Sequence, residues 1–189
     1  MTDDLIETQT PARRITDPAE ALAALERAVP GLLHHRRSEP AVLDWPLVEE
    51  GLGTALPADY KDLAQWYPAF TLGNYLLVGL PGPGEELQLL RDTHSTLEVL
   101  VDAWLEPELG LQAHPVVGGL LPWAESDESD KFMWSTAGAS PQEWRVTVAG
   151  RGGAWWHYEG GAVQFLAELC DGTLEPWGLR VVGPEVTVW

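Results

Sequence analysis

The sequence predicts an α+β domain, because helical patterns dominate its first half and short strand patterns follow. Apolar residues recur at helical spacing before residue 106, and four Trp-bearing strand patterns lie between residues 119 and 158. One more helical pattern comes after those strands. Helices followed by strands that are joined by short turns favour a mainly antiparallel sheet covered by helices. A chain of 189 residues, 45% of them hydrophobic, is long enough for one domain with a substantial core.

The N-terminal part of the chain is predicted to be a mobile polar segment followed by a helix. Residues 1–16 are mainly polar, and a single domain is expected over residues 17–189. Asp17, followed by a proline, is a typical helix start, because aspartate caps the first turn and proline suits its first position. One apolar face of this helix contains Leu22, Leu25 and Val29. Asp44, two residues ahead of a proline, marks a second helix start in the same way.

The segment LPADYKDLAQWYP, residues 56–68, predicts a third helix. Its apolar residues fall at helical spacing, namely Leu56, Tyr60, Leu63 and Tyr67. The following stretch NYLLVGLP predicts a buried strand, and the glycines and prolines of PGPG predict a turn after it. Ser95 and Glu98 have the spacing of a capping box, which predicts that a further helix starts at Ser95.

Four strands and a last helix complete the predicted fold. The strand patterns are GLLPW, KFMWS, WRVTV and AWWHY, separated by short polar or glycine-rich turns. The segment GAVQFLAELCDG predicts a helix that ends at Gly172, since glycine readily adopts the left-handed conformation of a helix end. The tail LRVVGPEVTVW predicts one or two more strands.

The charge of the chain favours a basic partner. Its formal net charge is −18 at pH 7, and nearly all of the excess acid lies in residues 38–189. A surface this acidic repels nucleic-acid phosphates and anionic lipid headgroups and attracts cationic molecules. We therefore expect a basic protein partner, no nucleic-acid binding and no membrane binding. Solubility alone is the alternative explanation of the charge.

The chain is predicted to be cytoplasmic. The start MTDDLIETQT lacks the basic and apolar regions of a secretory signal, and no apolar run approaches the ~20 residues that span a bilayer. Cys170 is the only cysteine, so no disulfide within the chain is expected. Its apolar helical surroundings predict a small buried side chain.

The stretch LPWAESDESDKFMW, residues 121–134, concentrates acid on one predicted turn. It contains four carboxylates and two flanking tryptophans: Glu125, Asp127, Glu128, Asp130, Trp123 and Trp134. An EF-hand loop starting at Asp127 would need glycine at position six and glutamate at position twelve, where this chain has Phe132 and Gly138. Acids crowded on one turn also differ from glycosidase pairs, which face each other across a cleft. We expect a strand–turn–strand with an acidic tip, which either contacts a partner or is simply solvated.

Other chemical motifs are incomplete, so the sequence predicts no catalytic residue, no metal site and no cofactor. The segment GLPGPGEE lacks the third glycine of a dinucleotide-binding loop and the Lys-Ser/Thr of a P-loop. The tandem His34-His35 has no second ligand pair, and adjacent side chains point apart on a helix or strand. His157, within AWWHY, is interpreted as a structural histidine.

The order of these elements resembles the SUKH superfamily, which is named partly for fungal regulators of cell-wall synthesis and is widespread in bacteria. The resemblance rests on LPADYK at residues 56–61, the buried strand after it, the hairpin around residues 121–134, a Trp-rich strand and the last helix. It covers about residues 40–175 and leaves the N-terminal helix and C-terminal strands as additions. It implies an α+β fold with a curved, mainly antiparallel sheet and helices packed on one side. Family members often have Gly-Asp before the second hairpin strand, where this chain has Ser129-Asp130.

The resemblance implies a non-enzymatic protein-binding domain, and above all an immunity protein that binds and neutralises a cognate bacterial toxin. Toxins that act on nucleic acid need basic active surfaces, which an acidic inhibitor covers with fast, salt-sensitive association. The expected contact residues are the carboxylates of Glu125, Asp127, Glu128 and Asp130, with Trp123 and Trp134 as flanking anchors. The alternative is a regulatory or scaffold protein of the same fold that binds a non-toxin partner. Its second contact would comprise Arg13, Arg14, Arg36 and Arg37.

Overall fold

The computed structural model describes residues 6–189 and contains an eight-stranded mixed sheet with five α-helices, so the predicted α+β class is confirmed. The helices are α1 (Pro18–Ala28), α2 (Trp45–Leu52), α3 (Ala58–Trp66), α4 (Glu86–Ala103) and α5 (Ala162–Asp171). The strands are β1 (Glu7–Gln9), β2 (Phe70–Leu72), β3 (Leu76–Val78), β4 (Leu120–Ser126), β5 (Lys131–Ser135), β6 (Arg145–Ala149), β7 (Trp155–Tyr158) and β8 (Val186–Val188). Short 3-10 helices occupy Pro30–His35, Pro107–Leu109 and Pro141–Glu143. None of the helices within residues 6–189 is long and apolar enough to cross a membrane.

The strands follow one another across the sheet in the order β1-β7-β6-β5-β4-β3-β2-β8. Strand β1 runs parallel to β7, whereas every other neighbouring pair is antiparallel. Strands β2 to β7 therefore form a continuous meander, and the first and last strands add to its two edges. Each edge strand has only three residues, which limits the unpaired backbone that a sheet edge exposes.

Local capping patterns correctly place the ends of several helices. The Asp17 carboxylate accepts a hydrogen bond from the Ala19 N–H at 2.9 Å at the start of α1. At the start of α2, the Asp44 carboxylate accepts one from the Leu47 N–H at 3.1 Å. Helix α5 ends at Gly172, whose φ of +82° is left-handed. These contacts and conformations help to satisfy the backbone N–H and C=O groups that have no partner within the helix at its ends.

The predicted start of the fourth helix is wrong. Helix α4 begins at Glu86, and Ser95 lies on its exposed surface far from either end. The Glu86 carboxylate accepts a hydrogen bond from the Asp44 N–H at 3.0 Å. Leu90 packs so closely against α2 that a Cβ on Gly51 would lie 2.5 Å from its Cδ1 atom. Packing on α2 therefore extends the helix towards its N-terminus, because tertiary contacts supply most of the stability of a helix.

The N-terminal segment departs from the prediction over residues 6–16. Ile6 is buried, and Glu7–Gln9 forms β1 alongside β7. The Gln9 side chain donates to the Glu175 carbonyl at 2.8 Å and accepts from the Glu175 N–H at 3.1 Å. The polar composition conceals this strand because its first two side chains are exposed. Residues 1–5 of the predicted mobile segment lie outside the described residues.

The core is rich in aromatic rings where the sheet meets α5. Phe165 of α5 lies 5.6–6.1 Å, between ring centroids, from four rings of the sheet: Trp123, Phe132, Trp156 and Tyr158. Rings at these separations add a small attraction to the large apolar area that they bury. Most of the tryptophans are buried or half-buried, and Trp189 is the one on the open surface, with 66% exposure.

Candidate functional site

The acidic stretch forms the predicted β-hairpin. Strands β4 and β5 pair in antiparallel fashion, and the last pair before the turn is Glu125 opposite Lys131. Residues 127–130 make the turn. The register shifts between Pro122 and Ala124, as expected of a β-bulge beside a residue that has no N–H for the ladder.

Asp130 lies inside the protein and holds the turn together. It is only 3% exposed, and its carboxylate accepts hydrogen bonds from the Tyr75 hydroxyl and from Ser126 Oγ, the latter at 2.5 Å. The Arg151 N–H donates to the same carboxylate at 2.8 Å. Ser126 Oγ also accepts from the N–H groups of Glu128 and Asp130. A buried carboxylate that accepts three hydrogen bonds stabilises the fold. The expectation that Asp130 is a contact charge is therefore wrong, because its carboxylate is not accessible to a partner.

Ser129 adopts a conformation that favours glycine. Its φ is +76°, in the left-handed region where a side chain costs roughly 1–2 kcal/mol. The Ser129 N–H donates to the Ser126 carbonyl at 3.0 Å, and the next residue is the buried Asp130. The hydrogen bonds of Asp130 therefore offset the strain at the residue that precedes it.

The other three predicted contact acids lie on the surface. Glu125 is half exposed and forms an ion pair with the buried Lys131, with 2.6 Å between Oε2 and Nζ. Glu128 is also half exposed, and its Oε1 lies 3.7 Å from the guanidinium of Arg180. Asp127 is exposed and forms no ion pair with any residue in the described part of the chain. Negative charge at the tip is therefore partly compensated and is strongest at Asp127.

Trp123 and Trp134 are interior residues, which corrects the expectation of flanking surface anchors. They are 5% and 2% exposed, and their ring centroids are 6.0 Å apart. Trp134 also packs edge-on with Tyr60 of α3, with 5.0 Å between the centroids. Hairpin alternation in the sequence does not reveal which face a helix covers, so their burial was not predictable from the hairpin alone.

Arg180 joins the C-terminal segment to the turns beside the acidic tip. Its Nη2 donates to the carbonyls of Gly73 and Asn74 at 3.1 and 3.3 Å. Its guanidinium lies 5.0 Å from the ring centroid of Tyr75, a cation–π contact that adds to these bonds. Because the same guanidinium approaches Glu128, it couples the tail of the chain to the hairpin tip.

The residues of LPADYK have structural roles. The Asp59 carboxylate accepts a hydrogen bond from the backbone at the start of α5 at 3.1 Å, and burial raises its pKa above the usual value. The Tyr60 hydroxyl donates to the Gly79 carbonyl at 2.8 Å. Lys61 forms a 2.7 Å ion pair with Glu49 of α2. Three consecutive residues thus tie α3 to three different parts of the fold.

The four arginines considered for an alternative contact surface all bond within the chain. Arg13 pairs with Glu20 and Arg36 with Glu26; Arg14 donates to the Trp144 carbonyl at 2.7 Å, and Arg37 to the Ala64 carbonyl at 3.1 Å. Arg36 also stacks on Trp66 at 4.4 Å from the ring centroid. Three of these arginines therefore bond within the N-terminal third of the chain, and Arg14 attaches that third to the segment before β6.

A pocket of about 660 Å³ opens between α4 and the β3–β4 part of the sheet. Its lining includes Tyr60, Leu121, Trp123 and Trp134 together with Leu89 of α4. This volume falls within the range of roughly 300–1,000 Å³ that is typical of small-molecule sites. The sequence offered no signal for the pocket, because its walls come from segments far apart in the chain.

The pocket has a predominantly acidic charge. Four charged residues line it, three carboxylates and one guanidinium: Glu85, Asp92, Glu125 and Arg37. Trp189, the exposed last residue of the chain, also lines it. The cavity therefore combines an apolar interior with negative charge and an accessible aromatic ring.

His157 of β7 and Cys170 of α5 lie within the packed sheet and helix. His157 is buried, and its Nδ1 lies 2.8 Å from the Thr147 hydroxyl of the neighbouring strand. Cys170 is half-buried, less than the sequence predicts. Partial burial still raises the pKa of its thiol to about 12, so the thiol is protonated at neutral pH. Across residues 6–189, no group of three or more His, Cys, Asp and Glu side chains is arranged to hold a metal ion.

Comparison with known proteins gives no match to any protein-family model, curated protein or solved structure.

Proposed function

We propose that this chain is a non-enzymatic, SUKH-like protein-binding domain, and that it acts in the cytoplasm as an immunity protein which binds and neutralises a cognate bacterial toxin. The observation that carries the proposal is the formal net charge of −18, together with an acidic hairpin tip whose turn is held by hydrogen bonds to the buried Asp130 carboxylate. The α+β architecture with its mainly antiparallel sheet is compatible with the curved sheet that the SUKH resemblance implies.

The hairpin supports this function because it presents charge on a constrained turn. The buried carboxylate of Asp130 accepts hydrogen bonds from three donors, while Asp127 and Glu128 are exposed to solvent. A turn that is already ordered loses little entropy when a partner binds. A basic toxin surface attracted by the whole acidic domain would therefore meet these carboxylates in a defined position.

The burial of both tryptophans sharpens the expected binding mode. Trp123 and Trp134 are interior, so the tip offers charge without large aromatic anchors. Exposed charges chiefly govern the association rate and its salt dependence, whereas buried anchors chiefly govern dissociation. We therefore expect neutralisation of the tip to slow association more than it speeds dissociation.

The alternative, a regulatory or scaffold protein of the same fold, receives less support. Its expected second contact consisted of Arg13, Arg14, Arg36 and Arg37. Each of these guanidinium groups already hydrogen-bonds to a carboxylate or carbonyl of the described chain. That engagement leaves these residues less able to bind a further partner.

The test is co-expression of the chain with the toxin domain encoded beside its gene, followed by growth and binding assays. Wild-type chain should restore growth and bind the toxin with a rate that falls as salt screens the charges. The double variant Asp127→Asn/Glu128→Gln should associate about threefold to tenfold more slowly at low salt. The matched control, Glu106→Gln/Glu108→Gln, removes two exposed acids from the segment between α4 and β4.

The outcomes separate the general proposal from the role of the tip. Absence of binding and rescue with the adjacent toxin contradicts the immunity function. Equal slowing by both double variants supports a diffuse effect of net charge and contradicts a specific role for the hairpin tip. Recovery of a regulatory protein in place of the toxin supports the scaffold alternative.

A further inference from the structure

The pocket beside α4 is distinct from the exposed carboxylates of Asp127 and Glu128, and its interior is suited to an apolar group. Tyr60, Leu121, Trp123 and Trp134 contribute buried apolar and aromatic surface to it. Trp123 and Trp134 are more than nine-tenths buried, so the ring surface that they give to the wall of the pocket is firmly packed.

The charged residues that line the pocket determine which sign of charge on a ligand is favoured. Glu125 is compensated by Lys131 at 2.6 Å, and the guanidinium of Arg37, which also lines the pocket, donates to the neutral Ala64 carbonyl. Glu85 and Asp92 have no ion-pair partner in the described chain, so two carboxylates face one guanidinium and the lining keeps a net negative charge. The Glu85 carboxylate accepts from the Gly82 N–H at 2.9 Å, and Asp92 accepts from the Gln88 amide at 2.7 Å. These neutral donors position both carboxylates and leave their charge in place.

Trp189 adds a surface that binds cations. Its ring is 66% exposed, and its Nε1–H donates to the Thr71 hydroxyl at 3.2 Å. The hydrogen bond limits rotation of the indole while its ring stays accessible from the pocket. The face of an indole attracts cations more strongly than that of any other side chain.

We propose that this pocket binds a small organic cation with an apolar body. The apolar body packs against Leu89, Leu121 and Trp123, and the positive group lies near Asp92, Glu85 and the ring of Trp189. The inference does not depend on the toxin-binding function, because it does not use the carboxylates of Asp127 and Glu128 and needs no protein partner.

The test uses three probes that share one apolar body and differ in charge: 4-phenylbutylamine, which is protonated at pH 7, 4-phenylbutan-1-ol and 4-phenylbutyrate. Each is titrated into the full chain alone by calorimetry, and the indole N–H signals of the tryptophans are followed by NMR. The amine should bind saturably and about tenfold more tightly than the alcohol, with the carboxylate weakest. Signals of Trp123, Trp134 and Trp189 should move together.

Four variants locate the binding. Glu85→Gln/Asp92→Asn should reduce the preference for amine over alcohol to less than about threefold and leave the affinity for the alcohol unchanged. Leu89→Trp, at a half-buried position of α4, should fill the pocket and weaken all three probes. Trp189→Ala alters an exposed residue and should weaken the amine alone by about threefold or more, even if Leu89→Trp does not fold. Asp127→Asn/Glu128→Gln should leave every affinity unchanged.

The proposal is overturned if the amine fails to bind saturably or if the three probes bind equally. It is also overturned if neither Leu89→Trp nor Trp189→Ala weakens the amine. Since no toxin is present, these results are independent of whether the chain is an immunity protein.

Discussion

The Tyr75 hydroxyl donates a hydrogen bond to the buried carboxylate of Asp130, and this contact joins the β2–β3 turn to the β4–β5 turn. Burial and the neighbouring carboxylate raise the pKa of Tyr75 above its usual value, so the hydroxyl keeps its proton and remains a donor. The acidic tip is therefore positioned by a residue that lies in a different hairpin.

Removal of Asp130 should destabilise the fold far more than removal of its neighbour Asp127. Asp130→Ala leaves the Tyr75 hydroxyl, Ser126 Oγ and the Arg151 N–H without their acceptor, which should cost about 2–4 kcal/mol of unfolding free energy. Tyr75→Phe should cost about 1–2 kcal/mol. Urea denaturation measures both values, and the double variant should lose less than their sum, because each change disrupts the same bond.

Asp127→Ala provides the control for this prediction. Its side chain is exposed, so the change should stay within about 0.5 kcal/mol of wild type. Similar losses for Asp127→Ala and Asp130→Ala would show that the interior network does not set the stability of the hairpin.

Ser129→Gly should stabilise the protein by about 0.5 kcal/mol. At φ +76°, glycine relieves a left-handed strain of roughly 1–2 kcal/mol and in return loses about 0.5–1 kcal/mol through the greater freedom of the unfolded chain. The matched control is Ser95→Gly on the exposed side of α4, which should destabilise because glycine is a poor helix residue. Thermal denaturation of both variants is the measurement, and shifts of the same sign would contradict the prediction.

Local signals in the sequence were sufficient where a residue acts on its own neighbours. Asp17 caps the helix that begins beside it, and Gly172 ends α5 through its own φ. Asp127 and Asp130 are identical in type and three residues apart, yet one is exposed and the other is 3% exposed. The difference arises from Tyr75, which lies 55 residues earlier in the chain. A local sequence pattern does not show that residues so far apart in the chain come into contact.

Contacts between distant segments also explain why the sequence did not predict the pocket, the start of α4 or the strand β1. Helix α4 starts at Glu86 because it packs on α2, and β1 forms because β7 offers it an edge. Trp123 and Trp134 looked like surface anchors because a hairpin pattern does not show which face is covered. Alternating apolar residues identify a strand, whereas its neighbours decide the burial of each side chain.

The N-terminal strand should contribute measurably to stability. Ile6 is buried, so Ile6→Ala should cost about 2–4 kcal/mol through lost apolar contact and the cavity that remains. Thr8→Ala, at an exposed position of β1 two residues after Ile6, is the control and should cost less than about 1 kcal/mol. Chemical denaturation measures the difference. An unchanged stability for Ile6→Ala would support the original prediction of a mobile segment.

The ion pair between Glu49 and Lys61 should make part of the stability depend on pH. Burial alone would raise the pKa of Glu49, but hydrogen bonds from Lys61 and from the Leu56 N–H outweigh burial and hold the pKa below its usual value. A carboxylate with a lowered folded pKa stabilises the protein above its unfolded pKa, near 4.5, and that contribution is lost as the pH falls through the folded value. Glu49→Gln should therefore cost about 1–2 kcal/mol at pH 7.

The cost of Glu49→Gln should shrink as the pH falls below about 4.5, because the wild-type carboxylate then becomes protonated. Urea denaturation of wild type, Glu49→Gln, Lys61→Ala and the double variant at several pH values measures the coupling between the two side chains. That coupling should be present at neutral pH and fade in acid. A coupling that stays constant across this range would mean that the contact depends on packing and neutral hydrogen bonds, with no contribution from the charge of Glu49.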